Sequence, residues 1–260
     1  GLTIAYDFST DLKKYFFYSF LFLAGSILMR SAGCIVNDIT DRNFDKKVER
    51  TKNRPIASGK VSVIRASIYS VILCAIAFLV LINFNYYTIY MALISMPLAF
   101  TYPLMKRFTY WPQLFLGITF NYGLVLAWIS IKNDITLVPI IFYIGAIFWT
   151  LAYDTIYGYQ DIKDDEIIGV KSTSIKFKQN PKVFISISYS IFIAMLIMVG
   201  VLMEFKIFFF AILVLSILHL LFYQVYKLNI SNPENCLDKF KSNNYLGLLI
   251  LITILIGKIF

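Results

Sequence analysis

Asn37, Asp41 and Asp45 stand four residues apart, and Asp154, Asp161 and Asp165 follow one another at intervals of seven and four. Each set closes a long apolar run. The first lies in N-D-I-T-D-R-N-F-D, Asn37 to Asp45, and the second in D-T-I-Y-G-Y-Q-D-I-K-D-D, Asp154 to Asp165. With Asp38 and Asp164 the two segments hold seven of the 15 acidic residues of the chain. On a helix, positions four and eight apart share a face, and like charges four apart repel unless a cation neutralises them. An oxygen-seeking ion such as Mg2+ does so, and suits carboxylates that share it with a phosphate. The same spacing argument puts Asp154, Asp161 and Asp165 on a second common face. Asp164 falls about 100° off it, and Asp38 and Asp164 read as solvated loop charge. Arg30 lies seven residues before Asn37 on nearly the same stripe as the first set. Lys52, Arg54, Lys106, Arg107 and Lys171 fall between the two segments. Divalent metal ringed by Lys and Arg is how proteins clamp a diphosphate.

Such residues need rigid elements to bring them together, and the composition says which. The chain has 260 residues, is 59% hydrophobic and has a mean hydropathy of +0.72. That is too apolar for a soluble domain. Tyr15 to Val36 carries one charge, Arg30, and the 40 residues from Ala66 to Met105 carry none, enough for two spans parted at Asn83-Phe84-Asn85. Further runs cover Trp111–Ile131, Ile135–Tyr153, Val183–Met203, Ile207–Tyr226 and Ser242–Gly257. About 20 such residues cross a bilayer as a helix, and continuous rather than alternating apolar runs favour helices over a barrel. The expectation is an all-α, multi-pass transmembrane helical bundle of eight spans in one domain, residues 1–260.

Of the 24 Lys and Arg residues, 18 fall in the loops after spans one, three, five and seven. That basic side is expected to face the cytoplasm or matrix, and both acidic segments lie on it. The net charge of +9 is thus accounted for by topology and anionic ligands, which argues against nucleic-acid binding. Cys34, Cys74 and Cys236 show no metal-ligand spacing, and His219, alone in a span, reads as a packed histidine. The opening at Gly1 reads as a trimmed chain with upstream residues missing.

The segment L-M-R-S-A-G-C-I-V-N-D-I-T-D-R-N-F-D-K-K-V-E-R-T-K-N-R-P-I-A-S-G, Leu28 to Gly59, resembles the first signature of the UbiA superfamily of intramembrane aromatic prenyltransferases. Ala152 to Ile175 resembles its second, Y-P-L-M-K-R (Tyr102 to Arg107) its Y-x-x-x-K element, and N-N-Y-L-G-L (Asn243 to Leu248) its C-terminal end. R-S-A-G-C-I-V-N-D and Y-D-T-I-Y-G-Y-Q-D are most similar to the branch of ubiquinone biosynthesis that prenylates 4-hydroxybenzoate. The family normally has nine helices, so the resemblance implies that the first is missing. It implies a multi-pass protein of the bacterial or mitochondrial inner membrane, with polyprenyl diphosphate and 4-hydroxybenzoate as substrates and Mg2+ as cofactor. Carried onto this sequence, it implies that Asn37, Asp41 and Asp45 hold one Mg2+ and Asp161 and Asp165 a second. Tyr102, Lys106, Arg54 and Lys171 would meet the prenyl diphosphate, Arg30 the carboxylate of the aromatic acid, and Asp154 the attacked ring. The implied chemistry is an electrophilic aromatic substitution with Asp154 or the released diphosphate as proton acceptor. Rival readings are a relative using homogentisate, dihydroxynaphthoate, haem or a sugar phosphate, a divalent-cation transporter with intramembrane carboxylates, and a purely structural membrane protein.

Overall fold

The computed structural model describes residues 1–259. Eight helices among them are long and apolar enough to cross a membrane: α1 (Leu12–Asp45), α2 (Val63–Leu81), α3 (Tyr86–Phe108), α4 (Pro112–Lys132), α5 (Leu137–Gly158), α6 (Pro181–Leu202), α7 (Ile207–Tyr226) and α8 (Pro233–Ile259). No strand occurs among the described residues. The chain is an integral membrane helical bundle, as the charge-free runs predict.

Local signals set the boundaries. Asp11, Ser62 and Asn85 cap α1, α2 and α3 by accepting hydrogen bonds from the backbone N–H groups of Lys13, Arg65 and Thr88, which satisfies donors that a helix start leaves free. Pro112 and Pro181 open α4 and α6, where a missing N–H costs nothing. α3 tightens into a 3-10 turn at Tyr102–Leu104, where Pro103 can donate no backbone bond. α7 changes over its last eight residues, His219–Tyr226, into a π-helix.

α5 is the hub, packing against α4, α6 and α8. Its Ile141, Phe142, Ala152 and Ile156 join Tyr189, Phe192 and Leu196 of α6 and Leu246 and Ile250 of α8 in one buried cluster. Gly117 lets α4 approach α5 closely: a Cβ there would lie 2.9 Å from the carbonyl oxygen of Ile147. Small residues at such crossings are how helices pack in lipid. α1 and α2 pack on each other at the edge of the bundle. Their outer faces carry Phe16, Phe20, Ile64 and Val71, each at least 65% exposed, a surface that requires hydrocarbon around it.

Candidate active site

A cavity of 270 Å³ opens at the end of the bundle where α1, α3 and α5 give way to their loops. α1 remains one uninterrupted helix to Asp45, so Asn37, Asp41 and Asp45 share the face predicted for them, and all three line the cavity. Tyr102 and Lys106 reach it from the 3-10 turn of α3 and the helical turn after it. Asp154 enters from α5, Asp161 and Asp165 from the segment beyond it, Arg54 from the loop after α1, and Lys171 from the loop before α6.

One expectation changes in the structure, the common face of the second acidic set. α5 stops at Gly158, and a separate short helix begins at Ile162. Asp154, Asp161 and Asp165 therefore do not share one helix face; a break in the helix at Tyr159–Asp161, and not helical periodicity, brings all three to the cavity. Arg30 is not among the lining residues. It is exposed and stands on α1 with its guanidinium 5.5 Å from the centre of the Phe120 ring. Tyr102 bridges the two places, within electrostatic reach of Arg30, Asp41 and Asp154.

The carboxylates meet basic side chains. Lys106 pairs with Asp41. Arg54 Nη1 donates to Asp38 Oδ1 at 3.0 Å and to Asp45 Oδ2 at 3.2 Å, so Asp38 serves as a second acceptor for Arg54 instead of standing as idle loop charge. Arg50 grips Asp161 with Nε at 2.9 Å from Oδ1 and 3.0 Å from Oδ2, and its Nη1 donates to the Tyr157 hydroxyl at 2.9 Å. Hydrogen bonding to Asp161 pushes the Arg50 guanidinium up, which fixes its charge. Arg50 is a cavity-lining residue that the sequence reading passed over. It sits among eight basic residues between Arg42 and Arg65, and nothing local points to a partner 111 positions away. Burial, and then the charge of Asp161, pushes the Asp165 carboxyl up to about 6.

Among the described residues no three of His, Cys, Asp and Glu converge closely enough to hold a metal by themselves. Two observations nevertheless fit a hard divalent cation. Asp41 is 2% exposed, and its Oδ1 is buried with no hydrogen-bond partner. The other donors turned to the cavity, Asn37, Asp45, Asp154, Asp161 and Asp165, offer oxygen, the element that Mg2+ prefers, with phosphate oxygens and water completing its octahedron.

A buried polar knot fixes the loop that carries Lys171. Gln113 accepts the Thr173 N–H at 3.0 Å, and Ser174 Oγ donates to the Thr155 carbonyl at 2.8 Å. Thr155 and Thr173 hydroxyls meet at 2.6 Å while Thr155 Oγ1 also donates to Leu151 O. One hydroxyl has one proton, so Thr173 is the donor of the pair. The Lys171 N–H donates to the Lys106 carbonyl at 2.9 Å, which ties the two lysines to one frame. The knot needs Gly158: a Cβ there would lie 2.4 Å from Ser174 Oγ. Gly158→Ala is expected to destabilise the protein by about 1–3 kcal/mol through displacement of that buried hydroxyl. A lowered thermal midpoint and faster proteolysis within residues 159–172 would show it, and adding Ser174→Ala should restore part of the loss. An unchanged midpoint would mean that the loop is not held there.

The fold and site define a class: a transmembrane helical bundle with a mouth of paired carboxylates and cations at one end. The description "UbiA prenyltransferase family" matches residues 1–249, and the chain belongs to that family. It is 43% identical over 241 residues to the protein of Rattus norvegicus named 4-hydroxybenzoate polyprenyltransferase, mitochondrial, an alignment covering 92% of this chain. The Homo sapiens protein of the same name is 43% identical over 240 residues. The chain spans 64% of the length of either relative. Its fold resembles a UbiA homologue from Aeropyrum pernix K1, with a TM-score of 0.75 at 24% identity over 98% of this chain and 91% of that one. It also resembles a UbiA homologue from Archaeoglobus fulgidus bound to DMAPP and Mg2+, with a TM-score of 0.64 at 19% identity over 90% and 86%.

Proposed function

We propose that the chain transfers a polyprenyl group from its diphosphate to the ring of 4-hydroxybenzoate, with Mg2+ as cofactor. The observation that carries this reading is the matched set of acids and bases in one cavity: Asp41 with Lys106, Asp45 with Arg54, Asp161 with Arg50. A diphosphate competes for those three cations, and each one it takes leaves carboxylate oxygens available to a divalent ion. The names of the relatives supply the acceptor and the Archaeoglobus fulgidus structure a precedent for the donor.

Asn37, Asp41 and Asp45 would hold one Mg2+, and Asp161 and Asp165 the other. Bound there, Mg2+ supplies positive charge that offsets the negative charge growing on a departing diphosphate. Lys106, Arg54 and Lys171 add their charges to the phosphate oxygens, an electrostatic contribution strengthened away from bulk water. Tyr102, four residues before Lys106, borders the first isoprene unit. Arg30 pairs with the carboxylate of the aromatic acid and presents the ring carbon ortho to the hydroxyl. The allylic carbon–oxygen bond breaks, the carbon–carbon bond to the ring forms, and the ring proton passes to Asp154. Asp154 is free to take it, since it makes neither a hydrogen bond nor an ion pair among the described residues. The surrounding apolar helices exclude water, which would otherwise capture the allylic cation, and admit the tail from the lipid.

The test is an assay of membranes carrying the protein, supplied with Mg2+ and labelled polyprenyl diphosphates of several lengths. Pyrophosphate release that depends on 4-hydroxybenzoate and yields its 3-prenyl product is expected. Release that depends instead on homogentisate or dihydroxynaphthoate would replace the acceptor. Metal flux through proteoliposomes lacking any prenyl donor would replace the enzyme with a transporter.

A further inference from the structure

A second concentration of unexplained polar groups lies on the outer flank of the bundle, where α7 meets α8. The loop between these helices falls on the same end as the cavity, since α1–α2, α3–α4, α5–α6 and α7–α8 connections all share one side of an up-and-down bundle. A groove of 440 Å³ there is lined by His219, Tyr223, Asp238, Lys241, Ser242 and Tyr245. Lys239 is 4% exposed, and its ammonium rests 3.4 Å from the centre of the Tyr223 ring. Neither Lys239 nor Lys241 takes part in any of the ion pairs among the described residues. A buried ammonium without a carboxylate is costly, and the adjoining groove offers a counter-ion somewhere to sit.

We propose that this groove binds the headgroup of an anionic phospholipid from the surrounding bilayer. Basic pockets between spans at the cytoplasmic or matrix side are suited to such headgroups. Lys241 in the lining and Lys239 behind Tyr223 outnumber the one carboxylate there, Asp238, so the balance of charge favours an anion. Toward the membrane interior, Leu215 stands four residues before His219 and Leu248 three residues after Tyr245, 54% and 56% exposed. That apolar strip accepts acyl chains and makes an amphiphile, and not a free anion, the better occupant. The π-helix preforms the wall. It turns Gln224 fully inward, where its Nε2 meets Asn243 Oδ1 at 3.0 Å, Ser242 Oγ at 3.3 Å and His219 Nε2 at 3.1 Å. Such π-turns recur at functional sites.

The test uses the purified protein in detergent and native mass spectrometry, comparing phosphatidylglycerol with phosphatidylcholine of identical acyl chains. The wild-type protein is expected to retain phosphatidylglycerol selectively. Lys239→Met with Lys241→Gln should weaken that retention by roughly fivefold per lysine and leave phosphatidylcholine retention unchanged. Because Lys239 is buried, Lys241→Gln alone serves as the exposed variant, and a loss of roughly fivefold is expected. Equal retention of the two lipids by the wild-type protein overturns the proposal. So does displacement of phosphatidylglycerol by millimolar inorganic phosphate, which would assign the groove to a free anion.

Discussion

Asp41→Ala is expected to abolish Mg2+-dependent prenyl transfer, with kcat/KM falling by roughly a thousandfold or more, while the bundle stays folded. Asp41 lies at the centre of the cavity wall, one turn from both Asn37 and Asp45 and 2% exposed. One of its oxygens meets Lys106, and the other is buried without a partner. An oxygen so placed is ready for a cation and badly placed for anything else, because an unsatisfied buried acceptor carries a penalty of about 1–3 kcal/mol. Truncation to alanine removes that penalty and leaves Lys106, whose side chain is 24% exposed, able to turn toward water. The stability change should therefore be small and the functional change large. Asp161→Ala should behave alike, because it strips the second segment of its ligand and leaves Arg50, 41% exposed, in solvent. Near-normal activity in either variant with saturating Mg2+ would sink the assignment of metal to these carboxylates.

The part of this site that the sequence discloses is the part governed by helical periodicity. α1 runs unbroken through Asp45, so spacing alone placed Asn37, Asp41 and Asp45 together. The eight spans were legible for a related reason: lipid forces each crossing segment to satisfy its own backbone, which leaves a long apolar signature. The second segment was legible only as a composition. Its residues reach the cavity because α5 ends at Gly158, and no proline or left-handed cap residue marks that ending. Arg50 escaped notice because its partner is chosen by the packing of two loops. The π-helix at His219–Tyr226 is equally a tertiary product, stabilised by Gln224 reaching into α8, and no pattern of apolar residues announces it.

Lys106→Met should separate the two functions that one lysine performs. Its ammonium pairs with Asp41, whose side chain is 3% exposed, and in the proposed reaction it faces the departing phosphate. Removing one partner of a buried pair leaves an uncompensated charge and costs about 3–5 kcal/mol. The variant is therefore expected to melt well below the wild-type protein in Mg2+-free buffer and to recover in part as Mg2+ is added, since a ligand that binds only the folded state stabilises it by mass action. Adding Asp41→Asn should restore stability without metal, because the orphaned charge is then gone. Activity should not return in the double variant. The single variant, even when stabilised by Mg2+, should lose about 10²–10³ in kcat, with a smaller effect on KM for the aromatic acid. The backbone bond from the Lys171 N–H to the Lys106 carbonyl survives every one of these changes, so a lost loop contact cannot account for the result. If Lys106→Met melts equally low with and without Asp41→Asn, the lysine stabilises the fold through its ammonium over the Phe44 ring and not through its pairing with Asp41.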